Sequence, residues 1–463
     1  MVGTRMEKDA LGIVEVPESV YYGAQTKRAF DNFPVSGRTF PRSFIHALGL
    51  IKKHAASVNA RLGLLDPKLA KVIGEAAGEV ADGKLDGNFI LDVFQTGSGT
   101  STNMNANEVI AGRANEMLTG KRGGRDPIHP NDHVNLGQSS NDVIPTAIHV
   151  AAVCAIGDRL MPALEKLLDV LRRKERDFSG IVKIGRTHLQ DAVPISLGQE
   201  FGGYARQIEL GLERAGRAAD VLSELALGGT AVGNGLNTHP EFARGVIQHL
   251  SEETGHTFHE AGNHFEAQAA QDGVVEASGE LKTIAVSLVK ISNDLRLLAS
   301  GPRCGLGEIT LPSLQPGSSI MPGKVNPVIP EMVIQVAAQV FGNDATIAFC
   351  GQGGYFELNT MLPVMALNLL ESIEILASAA GLLADRCVAG ITANREKCEA
   401  LIEQSLALST YLVPHIGYDR ASEISKEAFA TGKTVREVVL GKGILPEDKL
   451  DEIFSRIKPT QSA

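Results

Sequence analysis

From Val274 the apolar positions Ala277, Leu281, Ile284, Leu288, Ile291, Leu295 and Leu298 step by threes and fours. That spacing commits the chain to a long, nearly straight helix with one continuous apolar seam. The same step recurs in Val153, Ile156, Leu160, Ala163, Leu167 and Val170, and again in Leu369, Ile373, Leu376, Ala380 and Leu383. Ala285, Val286 and Val289 make the faces beside the first seam apolar too. A helix apolar on more than one face is buried on more than one side. The sequence therefore predicts a bundle of long helices, extended by association of subunits. Strand signals are sparse: Phe89–Phe94 is a short candidate, and the absence of strand–helix alternation argues against a parallel sheet.

Pro and Gly gather in 122–130, 228–240, 301–317 and 351–354, which read as connections. The expected organisation is an N-terminal domain of loops and shorter helices over 1–138, a central long-helix domain over 139–390, and a small helical C-terminal domain over 391–463. The last is announced by Thr392-Ala393-Asn394-Arg395-Glu396, a helix start.

With 43% apolar residues among 463, the chain can bury a sizeable core. The formal charge of −10 lacks the broad basic footprint of a nucleic-acid binder, so an anionic ligand needs a local site. Cys154, Cys304, Cys350, Cys387 and Cys398 form no CxxC pair and read as free thiols of a reducing compartment. Residues Met1–Asp9 contain neither a signal core nor a transit helix, and no uninterrupted apolar run approaches the ~20 residues of a membrane span. A soluble cytoplasmic protein without nucleic-acid or membrane partners is expected.

Four segments interrupt the helical text with hydroxyls, amides and glycine: Thr96-Gly-Ser-Gly-Thr-Ser-Thr-Asn-Met-Asn105, 129–141, Gly185-Arg-Thr-His-Leu-Gln-Asp191 and Gly317-Ser-Ser-Ile-Met-Pro-Gly-Lys-Val-Asn-Pro327. Solvated turns and caps would account for such composition. Their length and shared content argue instead for function. Ser, Thr and Asn donors at helix starts, with the single Lys324, suit a small carboxylate ligand, and Ser139-Ser140-Asn141 before an apolar stretch is such a start. Other motifs fail. Gly97-Ser98-Gly99 lacks the third glycine of a dinucleotide site, Gly323-Lys324 lacks phosphate-loop spacing, and Ser318 is in no Gly-x-Ser-x-Gly elbow. His129 with His133, and His256, His259 and His264, match no zinc spacing and read as solvated or capping histidines. No metal and no cofactor are expected.

The segment Gly317–Pro327 resembles the signature of the fumarase/aspartase superfamily, and the similarity runs from about Glu7 to about residue 458. Gln95-Thr-Gly-Ser-Gly-Thr100, His129-Pro-Asn-Asp132, Gln138-Ser-Ser-Asn141 and Leu227-Gly-Gly-Thr-Ala-Val-Gly233 are similar to class II fumarases. Pro327-Val-Ile-Pro-Glu331 and Gly390-Ile-Thr-Ala-Asn394 look aspartase-like, but specificity lives in the site rather than the scaffold. The resemblance implies an all-α, three-domain protomer whose central helices join those of other chains in the core of a homotetramer, about twenty helices in all, with active sites shared between subunits.

The implied reaction is reversible hydration of fumarate to (S)-malate through a stabilised carbanion (aci-carboxylate), aspartate ammonia-lyase being the alternative. A third reading is a non-enzymatic structural member such as the δ-crystallins. By the same resemblance Ser318 is the base, activated as loop 316–324 closes, and His188 with Glu331 handles the reacting water. Lys324, Val325 and Asn326 would hold a carboxylate, with Ser98, Gly99, Thr100, Ser139, Ser140, Asn141, Thr187 and Ser319 completing the substrate site. His129, Pro130, Asn131 and Asp132 would form an accessory dicarboxylate site.

Overall fold

The computed structural model describes residues 3–455 and 457. Among these the chain forms 17 helices and five two-stranded sheets, so the all-α expectation holds. The three apolar seams become the helices Ser140–Asp177 (with one widened turn at Ile156–Leu160), Asp272–Leu298 and Leu362–Leu382. Every seam position from Val274 to Leu298 is buried. The anticipated helix start near residue 394 is present, with Asn394 preceding the helix Arg395–Gln404.

Two corrections concern strands and hydropathy. Phe89–Phe94 forms no ladder. It is held by loop contacts instead: Val93 N–H donates to Arg38 O at 2.9 Å, and Asp92 accepts from the Ser36 and Gly37 amides. The longest strands lie elsewhere, in the hairpins Thr4–Asp9/Gly12–Pro17 and Val182–Thr187/Gln190–Ser196. In addition, three helices, Ser140–Asp177, Val328–Gly351 and Leu362–Gly390, are long and apolar enough to cross a membrane by length and composition. Isolated polar residues break their apolar runs, which is why counting uninterrupted runs misses them.

The chain divides into two compact units. The first comprises Met1–Pro162, Glu213–Ala285 and Ala337–Ala377. Its core includes Phe44, Leu48, Ile51, Ile73, Ile110 and Ile144, all fully buried. Within it the stretch from Ala337 buries Val340, Asn343, Ile347 and Cys350 on one face, while Ala338, Phe341, Ala345 and Phe349 stay exposed on the other, Phe349 at 67%. The second unit comprises Ala163–Leu212, Val286–Val336 and Ser378–Ala463. At its C-terminal end Leu408, Leu412, Ile424, Val435, Val439 and Leu450 form a small core of their own.

Candidate active site

In the first unit two helix starts come together. The helix Thr100–Thr119 begins after Gly99, whose φ of +72° is open to glycine at no steric cost. A Cβ there would also lie 2.9 Å from the Ile144 side chain. The helix Ser140–Ala155 begins at Ser139, which forms a capping box with Asp142. Asn103 Nδ2 donates to Ser140 Oγ at 3.0 Å and so ties the two starts together. Ser98 Oγ lies 2.8 Å from Thr100 Oγ1, and Asn141 Nδ2 donates to Ala231 O at 2.7 Å. Paired N-termini present unbonded amides and two positive dipole ends, the arrangement a carboxylate binds.

Beneath these starts lies a polar network that sequence reasoning missed. Lys52 is fully buried and donates to Asn135 Oδ1 (3.0 Å) and Gln138 Oε1 (2.8 Å). Asn103 and Asn107 donate to the same Asn135 oxygen. Asp142, also fully buried, accepts from the amides of Ser139, Gly228 and Thr230, fixing the 228–230 turn against the helix start. Burial pulls Lys52 down from 10.5 to about 7, partly offset by the Asp142 charge, and burial pushes Asp142 upward against its three amide donors. One signal was available: asparagines at 103, 105 and 107 inside a helix disfavour that helix unless they are bonded.

The Lys52 shift has a definite sign. Between about pH 7 and 10.5 the unfolded chain keeps a proton that the folded chain has shed, so stability rises with pH through that window. Lys52→Met should flatten this rise. From about pH 7.5 to about pH 9.5 the wild type should gain about 3 kcal/mol more stability than the variant. Denaturant unfolding at both pH values checks it, and parallel slopes would exclude Lys52 as the source.

In the second unit the hairpin Val182–Ser196 carries Thr187 and His188. Thr187 pairs with Gln190, leaving a two-residue loop of His188 and Leu189 at φ +55° and +59°. The imidazole is thereby held out at an exposed tip, with no hydrogen-bond partner among the described residues. The base of the hairpin is anchored by charge. Glu308, fully buried, receives both Nη1 and Nη2 of Arg186 (2.9 and 3.0 Å) and lies 3.3 Å from the buried Lys183 ammonium, which also pairs with Glu200. Removing one member would strand a buried charge, so the set fixes where the tip points.

The loop of the Gly317–Pro327 signature closes on itself: Gly317 N–H donates to Lys324 O and Asn326 Nδ2 to Gly317 O, both at 2.7 Å. Inside it Ser318 Oγ accepts from the amides of Ile320 (3.2 Å) and Met321 (2.9 Å). Ser319, Lys324 and Val325 are exposed, and Glu331 sits in the first turn of the helix Val328–Gly351. No hydrogen bond or ion pair among the described residues joins His188 to Ser318, Lys324 or Glu331.

His129 caps the turn Pro130–Val134, its Nδ1 accepting from the amides of Asn131 and Asp132 at 3.2 Å each. Asp132 Oδ2 lies 3.3 Å from that nitrogen, and Arg125 Nη1 lies 3.4 Å from Nε2. Burial chiefly, with the Arg125 and His133 charges, lowers the His129 pKa against the pull of Asp132.

Comparison with known proteins fits this geometry. The family model described as Lyase matches residues 12–342, and that described as Fumarase C C-terminus matches 408–458. The class II fumarate hydratase of Nitrosomonas europaea is 55% identical over 96% of this chain and 97% of its own length. The corresponding protein of Halobacterium salinarum is 58% identical over 97% and 96%. The crystal structure of class II fumarase from Schistosoma mansoni superposes with a TM-score of 0.94 at 42% identity, covering 97% of this chain and 98% of that one.

Proposed function

The chain belongs to the class II fumarate hydratase family of lyases, and on that premise we propose that it adds water reversibly across the double bond of fumarate, giving (S)-malate. The chemical problem is a proton on carbon beside a carboxylate, far too weakly acidic to leave unless the dianionic intermediate is stabilised. The observation that carries the reading is the Ser318 hydroxyl, whose oxygen faces two loop amides. Donors aimed at that oxygen favour its deprotonated form. Ser318 then takes the proton in dehydration and returns it in hydration.

Lys324, Asn326 and the Val325 amide hold one carboxylate as the loop folds over it. The paired helix starts at Gly99–Thr100 and Ser139–Asn141, with Ser98, Thr187 and Ser319, supply the donors that stabilise the aci-carboxylate. His188 with Glu331 holds the reacting water and acts as acid towards the leaving hydroxide. The arrangement around His129, Pro130, Asn131 and Asp132, with Arg125 alongside, serves as an accessory dicarboxylate site. The exposed apolar face from Ala338 to Phe349 supports a homotetramer in which this face is covered and the site shared between subunits. Five free cysteines suit a reducing, cytoplasmic setting, and the acidic net charge offers nothing to nucleic acid.

The activity is tested directly by fumarate absorbance in the ultraviolet. Malate should generate fumarate without added metal or cofactor, and chelation should leave the rate unchanged. Fumarate appearing from aspartate but not from malate would replace this reading with the ammonia-lyase one.

A further inference from the structure

Away from the candidate active site, three side chains of different donor type converge in the first unit. Cys154 is in the last turn of the helix Ser140–Ala155, Asp158 is in the widened turn that follows, and His256 comes just after the helix Phe242–Thr254. The thiol sulfur, a carboxylate oxygen and an imidazole nitrogen all lie within 4.8 Å of one another. His256 Nε2 is 3.0 Å from Asp158 Oδ1.

The backbone is shaped around this meeting. The turn Ile156–Leu160 is widened by one residue, Met161 N–H donating to Ile156 O, and such single widened turns gather at functional sites. Between the two ligands on this helix stands Gly157, where a Cβ would lie 2.3 Å from His256 Cε1. Any larger residue would push the ring off the helix. Beside the cluster a cavity of about 160 Å³, lined in part by Ser43, His46, Cys154 and Asp158, leaves room for water.

We propose that Cys154, Asp158 and His256 bind one divalent transition cation of the Zn2+ type, leaving a fourth position for water. Zinc–ligand distances of about 2.0–2.3 Å put tetrahedral ligand atoms roughly 3.3–3.8 Å apart, a spacing these side chains reach by small rotations. One sulfur, one imidazole and one carboxylate favour Zn2+ or Co2+ and disfavour Mg2+ and Ca2+, which demand oxygen ligands. Without the cation Cys154 is a free thiol, whose sulfur carries a proton. Binding replaces that proton with the cation: the S–H bond breaks, the sulfur keeps the electron pair and donates it to the metal, and one proton goes to solvent. No oxidant or reductant is involved. The site pins the connection after Thr254 to a helix far away in sequence and touches none of the residues assigned to hydration.

The test uses the full-length protein, stripped of metal and titrated anaerobically with Co2+ alone. One equivalent per chain should bind, with a thiolate-to-cobalt charge-transfer absorption in the near ultraviolet that Zn2+ abolishes. Cys154→Ser should lack the absorption. His256→Gln should weaken Co2+ binding by more than the roughly 10–100-fold that loss of an outer-shell partner costs. Absence of the absorption in the wild type, or its persistence in Cys154→Ser, would overturn the proposal. Should Cys154→Ser fail to fold, Asp158→Asn and His256→Gln decide the matter, because unchanged Co2+ affinity in both would refute the site. None of these readouts depends on fumarate turnover, so failure here and failure of the proposed activity are separate results.

Discussion

Ser318→Ala should lower turnover by roughly 10²–10⁴-fold, the range that one positioned proton-transfer group supplies. The expectation rests on a local arrangement. The hydroxyl oxygen accepts from the amides of Ile320 and Met321 at 3.2 and 2.9 Å, so two dipoles already point at the atom that carries negative charge in the proposed mechanism. Alanine leaves those dipoles in place and removes the atom they serve. Both amides belong to an exposed loop, where water replaces the lost acceptor at a cost of about 1 kcal/mol or less. The fold and the affinity for a dicarboxylate should therefore survive. The decisive comparison is kcat against inhibitor binding, in both reaction directions. A variant with most of its turnover intact would remove Ser318 from the mechanism. One that loses turnover and dicarboxylate binding together would reduce the residue to a loop-forming role.

Chains carrying His188→Asn and chains carrying Ser318→Ala, each nearly inactive alone, should rescue one another when unfolded together and refolded. The reason joins two observations. Among the described residues His188 projects from its hairpin tip without a hydrogen-bond partner, and none links it to Ser318, Lys324 or Glu331 in the same chain. In the proposed homotetramer a second subunit covers the apolar face carrying Phe341 and Phe349. If one subunit supplies His188 and another supplies Ser318, random mixing gives about a quarter of the sites both intact residues. Activity should recover to about that fraction of wild type. A site built within one chain could never regain both. Mixed oligomers, verified by mass, that stay as inactive as their parents would refute the shared site.

Much of the helical architecture was legible because a seam such as Val274–Leu298 has one physical solution. The start at Ser139 was legible for a similar reason, since a hydroxyl before an apolar stretch satisfies amides that the helix leaves open. The hairpin Val182–Ser196 was not. Its buried Lys183 breaks the apolar-in, polar-out alternation that identifies a strand, and what makes that burial tolerable is Glu308, more than a hundred residues away. Phe89–Phe94 failed in the opposite sense, being apolar enough for a strand but having no strand to pair with. Lys52 in a helix otherwise reads as a surface residue, and only the fold discloses the amides of Asn135 and Gln138 around it. The Cys154, Asp158 and His256 set escaped a search by ligand spacing because 98 residues separate the last two.

The turn at His188 and Leu189 bears on how this sequence can drift. Two consecutive non-glycine residues at φ +55° and +59° cost on the order of 1–2 kcal/mol each, where Asn-Gly would adopt the same turn almost freely. Leu189 is 73% exposed and gains nothing from packing that would offset this. Selection for heat resistance alone would therefore favour replacing both residues, and the hardier descendants would lack the imidazole. In a lineage that keeps the histidine, the hairpin tip gives up stability for the acid role proposed for the imidazole.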